Sequence, residues 1–193
     1  MDTGAILLSG GRGRRLGEIE KGLAPLAGQP LIQWGIERIV PQVSALVISA
    51  NQQTDTYRTL GWPVVADTLP DRPGPLAGIL AAAEILSTEW LLVIPCDTPF
   101  LPLDLVTRLT AATGPGTHLA RAIDSEQTHY AIMRLHRSLL PDMAAYLAEG
   151  QRSVQHWQAR HPCGEARFPD PAAFANLNTA EDLARAEARL SGR

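Results

Sequence analysis

Ala5-Ile6-Leu7-Leu8-Ser9-Gly10-Gly11-Arg12-Gly13-Arg14-Arg15 is the stretch from which the rest of the chain can be read. Its first four residues form a continuous apolar run, which predicts a strand buried on both faces, the kind that parallel sheets contain. The next segment is too long for a tight turn. Residues 9–22 make a loop rich in glycine and arginine, and a loop of that size inside a compact domain is usually functional. Residues 31–40 then set Leu31, Trp34, Gly35 and Ile39 at helical spacing behind Pro30, a favoured helix-starting residue, and Pro41 is expected to stop the helix. Strand, long loop and helix together are the opening unit of an α/β fold.

Outward from that unit the pattern repeats. Residues 45–48 predict a second buried strand, and 64–66 a short third one that ends at Asp67. Residues 75–86 predict a helix whose small face, Ala77, Ala81 and Ala82, allows close packing on a sheet. A fourth strand is expected over 90–95, leading into Cys96-Asp97-Thr98-Pro99, with the next helix running from near 102 to about 112. Strands alternating with helices argue for a mainly parallel sheet covered on both faces. Beyond Gly114 the rhythm changes: 118–123 and 130–135 read as a strand pair joined through the polar residues 124–128. Helices over 138–148 and 153–160, a strand near Ala166, a loop over 170–178 and a capped helix over 179–190 finish the chain. No repeat or linker interrupts it, so residues 1–193 are expected to form one domain.

Composition narrows the function. With 45% hydrophobic and 19% charged residues among 193, the chain is neither disordered nor fibrous. Its 17 basic and 20 acidic residues give a net charge of -3, which argues against binding nucleic acid through overall charge, so an anionic ligand has to meet a local basic patch. The apolar runs are far shorter than the roughly 20 residues of a membrane span. No secretory leader is expected, and two cysteines, Cys96 and Cys163, are too few for a disulfide framework and lack metal-site spacing. These features together point to a cytoplasmic protein, off the membrane; the oligomeric state is not set by them, and a monomer is the expectation for so small a chain.

In open α/β sheets ligands sit at the carboxyl ends of the strands, and three polar features fall there: the glycine-rich loop, Asp67 and Asp97. Glycines let main-chain N–H groups face an anion, and Arg12, Arg14, Arg15 and Lys21 add positive charge, which is the chemistry of a polyphosphate site. The alternative is a plain surface connection. Gly11, Gly13 and Gly17 have one residue too many for G-x-G-x-x-G, and G-x-x-x-x-G-K-[ST] is absent, so neither a dehydrogenase nor a P-loop protein is indicated. Asp97 is either a magnesium ligand or a helix cap, although the next helix begins some residues later. Residues 67–78, with three prolines and two glycines, read either as a rigid wall that presents Asp67 to a base or ribose, or as a helix-starting loop with Asp71 in a turn. Near the end, Thr179 or Asn178 caps a helix, leaving Asn176 and Asn178 as candidates to line the cleft. Cys96 reads as a small buried side chain. Ser9 stands outside any G-x-S-x-G elbow, and the five histidines share no metal spacing, so neither an acyl-enzyme nor a histidine metal site is indicated.

Taken together the motifs resemble one family, the molybdenum cofactor guanylyltransferases of the MobA type, within the nucleotidyltransferases. Leu8-Ser9-Gly10-Gly11 resembles its L-A-G-G, and Arg15-Leu16-Gly17-Glu18-Ile19-Glu20-Lys21-Gly22-Leu23 its R-M-G-G-x-D-K-G-L. Residues 74–78, 95–99 and 176–179 resemble its G-P-L-A-G, P-C-D-T-P and N-x-N-T. The resemblance runs nearly end to end. It implies a Rossmann-like α/β nucleotidyltransferase fold, a three-layer sandwich with a mainly parallel sheet, whose nucleotide-binding part is about 1–113 and cofactor-side part about 114–193. It implies transfer of GMP from GTP to the terminal phosphate of the molybdopterin cofactor with loss of pyrophosphate. By matching position, Leu8, Ser9, Gly10, Gly11, Lys21, Asp67 and Asp97 would contact GTP, with Asn51 and Gly78 joining them in the pocket, and Asp97 would hold Mg2+. Lys21, Asp97 and Arg15 would carry the chemistry, while Asn176 and Asn178 would face the pterin. Cofactor-carrier proteins and molybdoenzymes are the further partners implied.

The chain departs from the family's pattern at several points. Ser9 replaces alanine, which places a hydroxyl beside the expected base or ribose. Leu16 replaces methionine, Glu18 a second glycine, Glu20 an aspartate and Ala180 a proline. Ser49 stands where asparagine is usual, and Asn51, on the same face if the strand continues, would substitute. Other activities compete: cytidylyl transfer to the same cofactor, nucleotidyl transfer to another small phosphate, and noncatalytic binding of GTP or cofactor.

Overall fold

Alternate residues of the first strand go to opposite faces of the sheet, and this sorts the core into two layers. The computed structural model describes residues 2–10, 20–67 and 74–192. Strand β1 (Thr3–Ser9) lies in the middle of a seven-stranded sheet. After it come a two-residue hairpin, β2 (Pro25–Leu26) and β3 (Gln29–Pro30), then α1 (Leu31–Ile39), β4 (Ala45–Ala50), α2 (Thr54–Arg58) and β5 (Val64–Val65). Helix α3 (Pro75–Ile85), β6 (Trp90–Pro95), α4 (Leu105–Ala111), β7 (Leu119–Ile123) and β8 (Thr128–His136) come next. The chain closes with α5 (Leu140–Ala148), α6 (Val154–Gln158), β9 (Gly164–Arg167) and α7 (Ala180–Ser191).

The strand order is β5-β4-β1-β6-β8-β7-β9, parallel from β5 to β6, with β8 antiparallel to both neighbours and β9 parallel to β7. Ala5 and Leu7 pack with Ile32, Ile36 and Ile39 of α1 and Leu105 and Leu109 of α4. Ile6, on the other face, packs with Leu76, Ile79 and Ala82 of α3, Met143 and Leu147 of α5 and Trp157 of α6. The result is the expected three-layer sandwich. Arg137 closes the carboxyl end of α3: its guanidinium donates to the Ala83 carbonyl at 2.9 Å, to that of Leu86, and to that of Thr88 at 3.1 Å.

Some local expectations need correction. The first helix stops at Ile39, and Pro41 sits inside a 3-10 turn, Val40–Gln42, because proline fits an early helical position where its missing N–H costs nothing. The helix expected from 102 starts at Leu105 behind Asp104. The helix expected from 138 opens as a 3-10 turn, Arg137–Leu139. Strand β4 ends at Ala50, so Asn51 lies just past it. Helix α2 and the β2–β3 hairpin stand outside the predicted pattern.

Candidate active site

Register aligns the strand ends. Leu8 pairs with Ser49 on one side and Pro95 on the other, so the carboxyl ends of β1, β4 and β6 form one rim. Along it runs a cleft with two adjoining lobes that share Leu8, Ser9, Gly10, Glu20 and Pro75. The larger, about 380 Å³, is walled further by Ser49, Asn51, Gln52, Asp67, Gly74 and Gly78. The smaller, about 130 Å³, contains Lys21, Asp97, Pro95, Cys96 and Ala131.

In the larger lobe Asn51 and Asp67 clasp each other: Asn51 Nδ2 donates to Asp67 Oδ2 at 2.5 Å, and the Asp67 main-chain N–H donates to Asn51 Oδ1 at 2.9 Å. The amide of Asn51 is thereby oriented, and the Asp67 carboxylate is held as an acceptor on the wall. Ser49 and Gly78 explain why α3 approaches β4 so closely. A Cβ at Gly78 would stand 2.5 Å from Ser49 Oγ and 3.4 Å from Leu8 Cδ2. Gly74 begins α3 at φ +89°, a left-handed conformation that only glycine adopts without cost, and so brings the helix start to the lobe.

In the smaller lobe Lys21 Nζ lies 3.3 Å from Asp97 Oδ2 and also donates to Asn178 Oδ1. The main chain completes the junction, with Leu177 N–H donating to the Asp97 carbonyl at 3.0 Å. Asp97 is therefore no helix cap; the residue before α4 is Asp104. Asn176 is exposed and makes no hydrogen bond among the described residues, so of the two asparagines it is Asn178 that meets the cleft's charged pair. Strand β8 contributes a bulge. Between the pairs Arg121↔Met133 and Ala122↔His129, residues 130–132 lack partners on β7, and Ala131 among them reaches the cleft wall.

The Ser9 hydroxyl behaves differently from expectation. The Ser9 hydroxyl is turned to Tyr57, whose hydroxyl donates to Glu20 Oε2 at 2.8 Å, so the hydroxyl lies against protein rather than beside a base or ribose. Cys96 is buried, and desolvation, then the neighbouring Asp97 charge, pushes its thiol up to about 12, which suits a packing role. Gly11 and Arg15, with Arg12, Arg14, Glu18 and Asp71, lie outside the described residues. Sequence reasoning overlooked Tyr57, Gln52 and Ala131. It also overlooked a compositional signal: Lys21 is the chain's single lysine, all its other basic side chains in the Lys and Arg count being arginine.

Asn178 is placed by the cap of α7. Thr179 Oγ1 accepts from Asp182 N–H at 3.1 Å, and Asp182 Oδ2 accepts from the N–H groups of Asn178 at 3.0 Å and Thr179 at 2.9 Å. Desolvation would raise the Asp182 carboxyl, but these donors and Arg185 outweigh it and hold it at about 2, below its ordinary 3.8. A group depressed in the folded state adds stability above its unfolded value and loses it as pH falls through the folded one. Asp182→Asn should therefore cost about 1 kcal/mol at pH 7. In thermal melts the gap from wild type should shrink as pH falls from 3.8 toward 2. A gap that stays constant with pH would contradict the assigned cap.

Comparison with known proteins gives the family and the fold. The family of MobA-like NTP transferase domains matches residues 5–163. A molybdenum cofactor guanylyltransferase of Cupriavidus taiwanensis is 42% identical over 194 residues, covering 97% of this chain and 98% of that protein. One of Shewanella woodyi is 42% identical over 179 residues, covering 92% and 91%. Among solved structures, molybdopterin-guanine dinucleotide biosynthesis protein A from Archaeoglobus fulgidus superimposes with a TM-score of 0.77 at 22% identity, covering 98% of this chain and all of that one. A CMP:2-keto-3-deoxy-manno-octonic acid synthetase complexed with CTP also gives 0.77, at 12% identity, covering 100% and 99%. At these identities the structural likeness speaks to the fold.

Proposed function

The chain belongs to the family of MobA-like NTP transferases, and on that premise we propose that it transfers GMP from GTP to the terminal phosphate of the molybdopterin cofactor, releasing pyrophosphate. The observation that carries this reading is the meeting of Lys21 and Asp97, 3.3 Å apart, in the lobe that Leu8, Ser9 and Gly10 line at the end of β1. The reaction is an in-line displacement at the α-phosphorus: the bond from the acceptor phosphate oxygen forms as the bond to the pyrophosphate oxygen breaks. Such transfers rest on alignment and charge neutralisation. No general base is needed, because the acceptor phosphate is already ionised.

The larger lobe takes the guanosine. Guanine presents N1–H and N2–H donors, which Asp67, oriented by Asn51, accepts. The main chain of Leu8, Ser9 and Gly10, with Gly11 next in sequence, faces the phosphates, and Gly78 lets α3 stand close enough to form the wall. Lys21 and Arg15 offset charge on the departing pyrophosphate. Asn178, with Asn176 nearby in sequence, faces the pterin side.

Magnesium suits this donor set. Two oxygen donors, from Asp97 and Asn178, already converge on one cation, the Lys21 ammonium, and no group of three or more His, Cys, Asp or Glu side chains that could form a full protein cage occurs among the described residues. That is the pattern of an ion that takes one or two carboxylates and completes its shell with water and phosphate. Asp97 would hold it, and when bound it supplies neutralisation of phosphate charge. No helix among the described residues is long and apolar enough to cross a membrane.

The test is pyrophosphate release from each of the four nucleoside triphosphates, with magnesium and molybdopterin present. GTP should exceed CTP by about a hundredfold or more in kcat/KM, because guanine offers the Asp67 carboxylate two adjacent donors, N1–H and N2–H, whereas cytosine offers its N4 amino group beside the N3 lone pair, which repels the second carboxylate oxygen. A preference for CTP would refute the guanylyl assignment.

A further inference from the structure

Lys21 is flanked by two residues that both rest on the same buried hydroxyl. Tyr57 is fully buried on α2, behind the cleft. Its phenol accepts from Ser9 Oγ at the end of β1 and donates to Glu20 Oε2, immediately before the lysine, at 2.8 Å. On the other side of the lysine, Gly22 presses against the same group. A Cβ there would come within 2.6 Å of the Tyr57 oxygen, 2.8 Å of Ser9 Oγ and 3.3 Å of Cys96 Cβ. The main chain is thus fixed before and after Lys21, and the side chain between reaches Asp97 and Asn178.

We infer that Tyr57 is a positioning residue of the transfer reaction: its hydroxyl, clamped between Ser9 and Glu20 and abutted by Gly22, sets the main chain that delivers Lys21 to Asp97. Three features favour positioning over general packing. A phenylalanine would fill the same space, so the hydroxyl adds direction rather than volume. The contacts join three separate parts of the chain, β1, α2 and the segment before α1, at the residue where they must agree. Burial, with the nearby Cys96 and Glu20, pushes the phenol up, so it keeps its proton and stays a donor to Glu20 across the working pH range. Ser9 and Glu20, two of this chain's departures from the family's pattern, are the two groups that this hydroxyl joins.

The roles of Lys21 and Asp97 in turnover rest on the proposed function, but the position of Lys21 can be read without turnover. Because Lys21 is the only lysine, an amine-acylating reagent such as N-hydroxysuccinimidyl acetate modifies one side chain, and the modified peptide is separated from the acylated amino terminus by mass. In Tyr57→Phe, folded by circular dichroism at the assay temperature, acylation of Lys21 in the unliganded protein should become several-fold faster as the ammonium leaves Asp97 and Asn178. Turnover of GTP should fall about tenfold to a hundredfold, mostly in kcat, the scale of a misplacement of about 1 Å. Glu20→Ala, which removes the same link from the cleft side, should speed acylation likewise and stands in for Tyr57→Phe should that variant fail to fold. An acylation rate equal to wild type in the folded variant would overturn the inference, whatever happens to the melting temperature. Absence of GTP turnover in the wild-type protein would instead count against the proposed function, with the acylation result still deciding the role of Tyr57.

Discussion

Asp97→Ala should lower turnover by about a thousandfold while weakening GTP binding by only about tenfold. The carboxylate is nearly buried at the tip of β6, its side chain 12% exposed, and its charged neighbour is Lys21. Truncation removes the proposed magnesium ligand and leaves the ammonium with Asn178 alone. The fold should survive, because the contact that ties this tip to the carboxyl-terminal segment uses the Asp97 main-chain carbonyl, which alanine keeps. Binding persists because the larger lobe, with Asn51 and Asp67, is untouched. Steady-state rates of pyrophosphate release, set beside calorimetric GTP affinity, measure the two quantities. An active Asp97→Ala protein would show that the metal has been assigned to the wrong residue. Equal losses of binding and turnover would mean that Asp97 serves GTP binding and not the transfer step.

Lys21→Ala should cost about a hundredfold to a thousandfold, chiefly in kcat, since the ammonium is placed to act on charge that grows during transfer. Lys21→Arg is the sharper variant. It keeps the charge but replaces a compact ammonium by a planar fork. The acceptors here, Asp97 Oδ2 and Asn178 Oδ1, come from two different segments and converge on a single nitrogen. A guanidinium should fit them poorly and recover little of the rate. Full activity in Lys21→Arg would mean that charge alone is sufficient and that the narrow geometry is incidental.

Much of the fold was legible because four strands of the parallel part are punctuated apolar runs. Residues 5–7 and 90–94 are apolar runs that only helices on both faces could bury, and all of them are buried. The capping box of α7 was equally readable, because Thr179 and Asp182 stand at the spacing that a reciprocal cap demands. What escaped were elements too short for a period to register. Helix α2 has five residues, and it begins after Gln53 at φ +49°, an unusual conformation for a residue with a side chain. The β2–β3 hairpin turns through Ala27 and Gly28, both at positive φ, without the Asn-Gly or Asp-Gly pair that advertises such a turn.

The site divides in the same way. Residues at strand ends, Ser9, Asp67 and Asp97, could be placed together because topology alone brings the carboxyl ends of parallel strands to one rim. Tyr57 could not, because its role depends on the chain path around α2 and not on any local pattern. The Ser9 hydroxyl was expected near the nucleotide and instead meets Tyr57 because a buried hydroxyl takes the nearest fixed partner. Asn51 joins the larger lobe although β4 ends one residue before it, since Asp67 reaches across to orient its amide.

The central claim is that one triphosphate lies between the end of β1 and the tip of β6, and the lone lysine offers the most direct test. Acylation of Lys21 should be slowed at least about tenfold by saturating GTP with magnesium, because the ammonium is then covered by phosphate, and should be slowed far less by CTP at the same concentration. Acylation of Lys21 that proceeds at the unliganded rate under saturating GTP and magnesium would place the nucleotide elsewhere and contradict the account.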